Sequence, residues 1–359
     1  MRHRFLAATL VAAVAAATLR SSAQEMPDFA GATGWINSPP IAAGSLRGKV
    51  VLVDFWEYTC INCLRTLPYL REWYKRYKDL GFTIVGVHTP EFKFSGEEAN
   101  VAAAVKHLDV TWPVALDDDM TIWKRYGVNE WPTELLFDQN GKLVDRTQGE
   151  GLYQQTEMKI QGLLKAQNPS LHLPPPMALL PRDSYLKPGA VCYLQTPETY
   201  VGFQHGNHIG DRPSMLDPTD FVDRDSDHQD GTVYLQGYWK PTASGDAMVS
   251  DGGNGYLALK YHAIQVVTVM RPDEGSPIRV NVTEDGKPIP KVDAGKDIKY
   301  DASGTSYVEV DAGRAYDILM NAHFGTYDLR LMPQSRGLAV YSFAFESCEK
   351  SPEKDPTQR

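Results

Sequence analysis

Residues 50–63 decide the fold: positions 50–56 read Val-Val-Leu-Val-Asp-Phe-Trp and positions 57–63 read Glu-Tyr-Thr-Cys-Ile-Asn-Cys. The first seven residues form an apolar run with a single acid, Asp54, which is typical of a strand buried in a parallel sheet. The next seven residues end in the Cys-x-x-Cys pair Cys60 and Cys63. Apolar residues then recur every three or four positions as far as Lys78, which predicts an amphipathic helix that is kinked at Pro68.

The two cysteines lie where the strand ends and the helix begins. The helix dipole and the unpaired N–H groups of a helix N-terminus stabilise a thiolate, so Cys60 is predicted to be the attacking nucleophile. Cys63 lies one turn further along the helix and is predicted to resolve a mixed disulfide formed at Cys60. One alternative is that the two cysteines are half of a zinc site, although no further ligand pair lies nearby. The other is a purely structural disulfide, although a loop this small would add little to the stability of the folded protein.

The rest of the chain predicts two domains and an export signal. Residues 1–23 combine an Arg-rich start, an apolar run and a small-residue cleavage site, which predicts a signal peptide and a soluble, periplasmic or otherwise exported protein. Strand and helix patterns alternate in residues 24–168, a Pro-rich linker follows at 169–184, and short strand patterns between turns fill 185–348. We therefore predict an α/β domain, then an all-β sandwich (jelly-roll-like), then a flexible tail at 349–359.

Composition excludes several classes of partner. The chain has 359 residues, of which 42% are hydrophobic and 23% charged, and its formal net charge is −9. These values are those of an ordinary globular protein. The acidic balance and the lack of Lys/Arg runs argue against nucleic-acid binding and against a polybasic membrane patch.

Two segments resemble a known family. Residues 58–68 read Tyr-Thr-Cys-Ile-Asn-Cys-Leu-Arg-Thr-Leu-Pro, and residues 86–92 read Gly-Val-His-Thr-Pro-Glu-Phe. Both resemble the exported TlpA and DipZ group of thioredoxin-fold proteins, and the thioredoxin resemblance extends over about residues 28–167. The β-rich half, including Thr-Pro-Glu-Thr-Tyr at 196–200, is similar to the carbohydrate-module-like domain that follows thioredoxin in DipZ.

The resemblance implies roles for four further residues. Asp54 matches the buried acid that relays a proton for the resolving thiol, with a backbone-bonded acid as the alternative. Trp56 matches the tryptophan beside the site, with plain core packing as the alternative. Pro132 matches the cis-proline that faces the redox pair and pairs with substrate backbone. Trp131 is larger than the residue the family usually has there, which implies a narrower cleft.

Three residues are predicted to line the site on their position alone. His88 and Glu91 follow the C-terminal end of a predicted strand, where open α/β sheets bind ligands, although a surface or hydrogen-bonding role is the simpler expectation. Glu57 is close to Cys60 in sequence and is expected to be solvated, with proton transfer as the alternative.

The second domain contains two cysteines and an acid-rich stretch. Cys192 and Cys348 flank that domain and are predicted to form a structural disulfide, with two free thiols as the alternative. The acids and histidines between 205 and 228 fit no EF-hand pattern, so neither a metal nor another cofactor is expected.

These features predict a thiol-disulfide oxidoreductase that exchanges its Cys-x-x-Cys pair with protein partners. The absence of His between the two cysteines favours a reductant, and re-reduction then needs a membrane electron donor on a separate chain. One alternative is a thiol peroxidase, although that class needs Thr at position 57, where Glu stands. The other alternative is a glycan- or protein-binding module with a non-catalytic disulfide.

Overall fold

The computed structural model of the chain describes residues 24–186, 189–205, 208–210, 212–213, 217–224, 227–252 and 255–349. The predicted signal peptide lies outside these residues, as do positions 350–359 of the predicted tail. Within the described part, no helix is long and apolar enough to cross a membrane.

The first domain is a six-stranded sheet covered by helices on both faces. The strands follow the order β1-β4-β3-β2-β5-β6, in which β2 is parallel to β3 and antiparallel to β5. All seven residues of β2 and of β3 are buried, because helices cover both faces of the sheet. The elements are β1 Gly34–Ile36, β2 Val50–Trp56, α1 Ile61–Tyr77, β3 Phe82–His88, α2 Glu98–His107, β4 Val114–Leu116, α3 Thr121–Arg125, β5 Thr133–Phe137, β6 Leu143–Gln148 and α4 Tyr153–Gln167.

The helix after the redox pair begins two residues earlier than its apolar spacing predicts. Cys60 is its N-cap residue, and its side chain accepts a hydrogen bond from the backbone N–H of Cys63. The helix continues through Pro68 to Tyr77 as one element. Capping therefore fixes the first cysteine at the helix start and places the second inside the first turn.

The second domain is built almost entirely of strands. Thirteen of them form one hydrogen-bonded network, and β7 pairs separately with β21. The two longest strands, β14 and β19, pair along most of their length, and β14 also pairs with β12 near its start and with β20 near its end. The strands are β7 Val191–Cys192, β8 Thr199–Tyr200, β9 His208–Ile209, β10 Arg212–Pro213, β11 Thr219–Phe221, β12 Val233–Pro241, β13 Met248–Ser250, β14 Tyr256–Pro272, β15 Ile278–Glu284, β16 Lys287–Pro288, β17 Lys299–Tyr300, β18 Ser306–Val310, β19 Arg314–Pro333, β20 Leu338–Glu346 and β21 Cys348–Glu349.

The two domains share one hydrophobic cluster. Phe94, which follows β3, packs its ring 4.7 Å from that of Tyr341 on β20. Arg65 of α1 reaches across the same interface, where its guanidinium lies 2.8 Å from a carboxylate oxygen of Glu346 and 2.5 Å from the amide oxygen of Gln265. The β domain is thus packed directly against the helix that carries the redox pair.

The Pro-rich segment between the domains also packs on the first domain. Tyr69 of α1 donates a hydrogen bond to Asp183 at 2.5 Å and accepts one from the backbone N–H of Leu180 at 2.9 Å. Glu157 of α4 accepts a hydrogen bond from the N–H of Met177 at 2.6 Å. These contacts attach the segment to α1 and α4 and help to fix the position of the β domain.

Candidate active site

The two cysteines of the pair differ in exposure. Both are free thiols; Cys60 is partly exposed, whereas Cys63 is fully buried. The sulfur of Cys60 accepts a hydrogen bond from the N–H of Cys63 at 3.4 Å. Burial raises the pKa of the Cys63 thiol well above its ordinary value, and the hydrogen bond to Cys60 adds to the rise. Cys60 is therefore the thiol that an incoming disulfide can reach.

Asp54 lies on β2 beneath the pair and is fully buried. Its two carboxyl oxygens have no hydrogen-bond partner among the described residues, so the alternative of a backbone-bonded acid does not hold there. Burial raises the pKa of Asp54 to about 7, and its charge also raises the pKa of Cys63. A carboxyl with this pKa can accept and release a proton at neutral pH.

Glu57 is buried, so the expectation that it is solvated is wrong. One carboxylate oxygen accepts hydrogen bonds from the N–H of Thr59 at 2.6 Å and of Cys60 at 3.0 Å, and from the hydroxyl of Thr59. Burial raises its pKa to about 7. The Glu57 carboxylate therefore bonds to backbone N–H groups of the turn between β2 and α1 and stabilises that turn.

His88 is also buried, at the end of β3, so the simpler expectation of a surface role is wrong. Its ring stacks on Tyr58 at 5.5 Å, and its Nε2 lies 3.8 Å from a carboxylate oxygen of Glu57. Neither ring nitrogen has a hydrogen-bond partner within the described part of the chain. Burial lowers the pKa of His88 to about 3, so the ring is neutral at physiological pH.

Residues 129–131, which precede β5, line the same cavity as Cys60. The peptide bond between Trp131 and Pro132 is cis. The carbonyl of Pro132 accepts a hydrogen bond from the N–H of Gly149 at 2.8 Å, and the Trp131 ring lies 4.5 Å from that of Trp123. By contrast, Trp56 is completely buried in the core, where its ring meets His88 edge-on at 5.4 Å.

A cavity of about 300 Å³ opens beside Cys60, between the two domains. The first domain contributes residues around Cys60, together with Trp131 and Glu91. The opposite side, here called the β wall, consists of Gln195, Glu198, Tyr200, Val267, Val269, Ser342, Ala344 and Phe345. Sequence reasoning missed the β wall, because strand patterns give no signal of which strand edge faces a distant cysteine.

Glu91 joins the two sides of the cavity. Tyr200 of the β wall donates a hydrogen bond to its carboxylate at 2.5 Å. Burial raises the pKa of Glu91, while the hydrogen bond from Tyr200 acts in the opposite direction. Glu91 thus lines the cavity, and its hydrogen bond connects the loop after β3 to the β domain.

Among the described residues, the other predicted features of the β domain do not line the cavity beside Cys60, although Cys348 lines a second cavity together with Ile61 of α1. Cys192 and Cys348 form a disulfide that joins β7 to β21. In the acid-rich stretch, His228 lies 3.1 Å from a carboxylate oxygen of Asp223, and two other members, Asp211 and Asp225, lie outside the described residues. Within the described ranges, no group of three or more His, Cys, Asp or Glu side chains is arranged to hold a metal ion.

Both domains match known families. The AhpC/TSA family matches residues 23–146, and the thioredoxin-like C-terminal domain family matches residues 196–345. Protein DipZ of Mycobacterium bovis is 34% identical over 334 residues, which cover 89% of this chain and 42% of that protein. The chain therefore spans less than half the length of this relative.

Two further similarities each cover less than half of the chain. Thiol-disulfide oxidoreductase ResA of Bacillus cereus is 35% identical over 124 residues, which cover 34% of this chain and 66% of that protein. The crystal structure of the thioredoxin domain of a thiol-disulfide oxidoreductase from Bacteroides vulgatus is 28% identical, with a TM-score of 0.33, and the match covers 39% of this chain and 98% of that one.

The sequence similarity to DipZ extends over 89% of the chain and therefore runs through both domains. The thioredoxin-like fold of the first domain and the largely β second domain agree with the two matched families. The chain is thus similar to thioredoxin-like thiol-disulfide oxidoreductases of the TlpA and DipZ type.

Proposed function

We propose that the protein exchanges the Cys60–Cys63 dithiol with disulfides of protein substrates outside the cytoplasm, and that it acts as a reductant. The observation that carries this proposal is the asymmetry of the pair, since a reachable Cys60 lies next to a buried Cys63 with a raised pKa. Only a pair of this kind separates attack on a substrate from release of the substrate.

The reaction proceeds in two displacements. The thiolate of Cys60 attacks a substrate disulfide, and the first substrate sulfur leaves as a thiolate. The sulfur of Cys63 then attacks Cys60 while Asp54 accepts the proton of the Cys63 thiol. The second substrate sulfur leaves, and the enzyme is left with a Cys60–Cys63 disulfide. An electron donor must restore the dithiol, and we assign this task to a membrane electron donor.

The surroundings of Cys60 support the reducing direction. A strongly oxidising pair needs a stabilised thiolate, usually beside a cation. Here the charged residues that line the cavity are Glu91, Glu130 and Glu198, and the nearby His88 is neutral at physiological pH. A thiolate without a neighbouring cation donates its electrons more readily, which corresponds to a low reduction potential.

The β wall supports a role of the second domain in substrate selection. A polypeptide that reaches Cys60 must enter between the segment of Pro132 and the β wall. Val267, Val269 and Phe345 offer an apolar surface there, which suits an extended segment with apolar side chains next to its cysteine. We infer that the β domain binds the polypeptide substrate of the thiols.

The test uses the mature protein with dithiothreitol as electron donor and a disulfide-bonded polypeptide as substrate. Cys60→Ser should abolish reduction, whereas the matched variant Cys63→Ser should accumulate a mixed disulfide at Cys60 that mass spectrometry detects. Normal turnover by Cys60→Ser would overturn the mechanism. Consumption of hydrogen peroxide without reduction of the polypeptide would instead support a thiol peroxidase.

A further inference from the structure

Glu134 is a second buried carboxyl beside Asp54, and the reaction described above does not use it. Strands β2 and β5 are antiparallel, and their register places Asp54 directly opposite Glu134. Side chains at opposed positions of an antiparallel pair lie on the same face of the sheet, with Cβ atoms about 5 Å apart. Two carboxyl groups are therefore neighbours in the middle of the sheet.

Both carboxyls lie on the face of the sheet that α1 covers. Leu52 and Trp56, which flank Asp54 at alternate positions of β2, belong to the same hydrophobic cluster as Cys63 of α1. Because side chains alternate in direction along a strand, Asp54 shares their face, and so does Glu134. The resolving thiol and the two carboxyls thus occupy one side of the sheet.

The two carboxyls differ in their access to water. Asp54 is completely buried, whereas 5% of Glu134 is exposed. Asp54 therefore has no direct contact with solvent, whereas Glu134 retains a small exposed fraction. Burial raises the pKa of Glu134 to about 8, and the charges of Asp54 and Asp145 add to the rise. Two neighbouring carboxyls with raised pKa values share a proton near neutral pH.

We propose that Glu134 carries protons between Asp54 and solvent when Cys63 resolves the mixed disulfide; this inference rests on the proposed exchange reaction. As the sulfur of Cys63 attacks that of Cys60, the Cys63 thiol gives its proton to Asp54. The bond between Cys60 and the substrate sulfur breaks, the Cys60–Cys63 disulfide forms, and the substrate leaves as a thiolate. Asp54 then passes the proton to Glu134, which releases it to water.

Several other described titratable groups lie on the elements that neighbour Asp54 and Glu134, among them Tyr153 of α4, which belongs to the same hydrophobic cluster as Cys63. Asp145 of β6 forms an ion pair at 2.7 Å with Lys159 of α4. His88 at the end of β3 is neutral at physiological pH, as stated above. Others are Glu57, which follows β2, and the thiols of Cys60 and Cys63 at the start of α1. Glu134 is the member of this set that lies opposite Asp54 in the strand register.

The decisive experiment is the single-turnover rate of mixed-disulfide resolution between pH 5 and 9. In Glu134→Gln we expect this rate to fall about tenfold at pH 7. General acid–base catalysis contributes a factor of ~100 or more, and Glu134 supplies only part of it. Its pH profile should depend on one ionisation instead of two. The matched control is Glu157→Gln, a buried glutamate of α4 that bonds to Tyr77, and its profile should keep the wild-type shape. A wild-type profile in Glu134→Gln would overturn the proposal.

A second measurement covers the case in which Glu134→Gln does not fold. The carboxyl carbon signal of Asp54 in the wild-type protein, followed by NMR over the same pH range, should shift in two steps, because its neighbour also titrates. A single step would show that the titrations of Asp54 and Glu134 are not coupled and would overturn the proposal. If the wild-type protein exchanges no disulfide at all, the proposed function fails, whereas the NMR result still decides whether the two carboxyls share a proton.

Discussion

Replacement of Asp54 by Asn should stabilise the protein at high pH while it impairs catalysis. Asp54 is fully buried with no hydrogen-bond partner in the described part of the chain, and burial raises its pKa from the ordinary 3.8 to about 7. Asn has the same shape as the protonated acid but cannot ionise. The variant therefore avoids the loss of stability that the wild-type protein undergoes when the buried Asp54 carboxyl ionises.

The sign and size of the effect follow from proton linkage. Between pH 3.8 and about 7 the folded protein keeps the Asp54 proton that the unfolded chain releases, so stability falls as the pH rises through this range. At roughly 1.4 kcal/mol per pH unit, the full loss above pH 7 amounts to about 4 kcal/mol. Asp54→Asn should accordingly match the wild type near pH 4 and exceed its free energy of unfolding by about 4 kcal/mol at pH 8.

The assay is urea unfolding of the wild type and the variant at several pH values from 4 to 8, followed by tryptophan fluorescence. Asp79→Asn serves as the matched control, because Asp79 is exposed and its charge stays in water when the protein folds. In the control, the difference from the wild type should not change with pH. If the difference in free energy of unfolding between Asp54→Asn and the wild type were the same at every pH, the argument that burial of the ionised Asp54 destabilises the protein would be refuted.

Three further predictions concern the domain interface and the β domain. Arg65→Met should lower the free energy of unfolding by about 3 kcal/mol in urea titrations, because it leaves two mostly buried carboxylates without their cation; an unchanged midpoint would contradict this. Tyr200→Phe should lower kcat/KM for a polypeptide disulfide several-fold, because the hydrogen bond from Tyr200 to Glu91 holds the β wall in place. The reduction potential of the Cys60–Cys63 pair should stay the same. An equal loss of kcat/KM with a small disulfide would contradict substrate selection by the β wall. Replacing Cys192 and Cys348 by Ser should lower the free energy of unfolding by up to about 5 kcal/mol, which is the loop-closure contribution for a separation of 156 residues. Disulfide exchange at Cys60 and Cys63 should be unaffected. A loss of exchange would contradict a purely structural role and indicate an electron relay between the two cysteine pairs.

The core of the first domain could be predicted from local patterns. The apolar run of β2, the cysteine spacing and the helical period of α1 are each encoded in consecutive residues, and their order already indicates a thiol at a helix start. The Asn140-Gly141 turn between β5 and β6 is equally local. The short β1 and α3 were not predicted, because elements of three and five residues leave little periodic signal.

The burial of the polar residues around the site could not be predicted in this way. Glu57 and His88 occur in segments that resemble solvent-exposed strand ends, yet both are buried, and the His88 ring packs against Trp56 and Tyr58. The same holds for Tyr200, which lies 140 residues from Cys60 in sequence and reaches the same cavity. Such contacts depend on how distant elements pack, and a single sequence does not reveal this arrangement.

The central claim is that Cys60 and Cys63 form a reducing pair, and their reduction potential tests it most directly. The mature protein would be equilibrated in dithiothreitol or glutathione buffers, and alkylation of Cys192 and Cys348 would be followed separately by mass spectrometry. A potential near or below about −250 mV is the result that this account predicts, because none of the described residues that line the cavity beside Cys60 is a cation. A potential above about −150 mV would contradict it and identify an oxidant or isomerase.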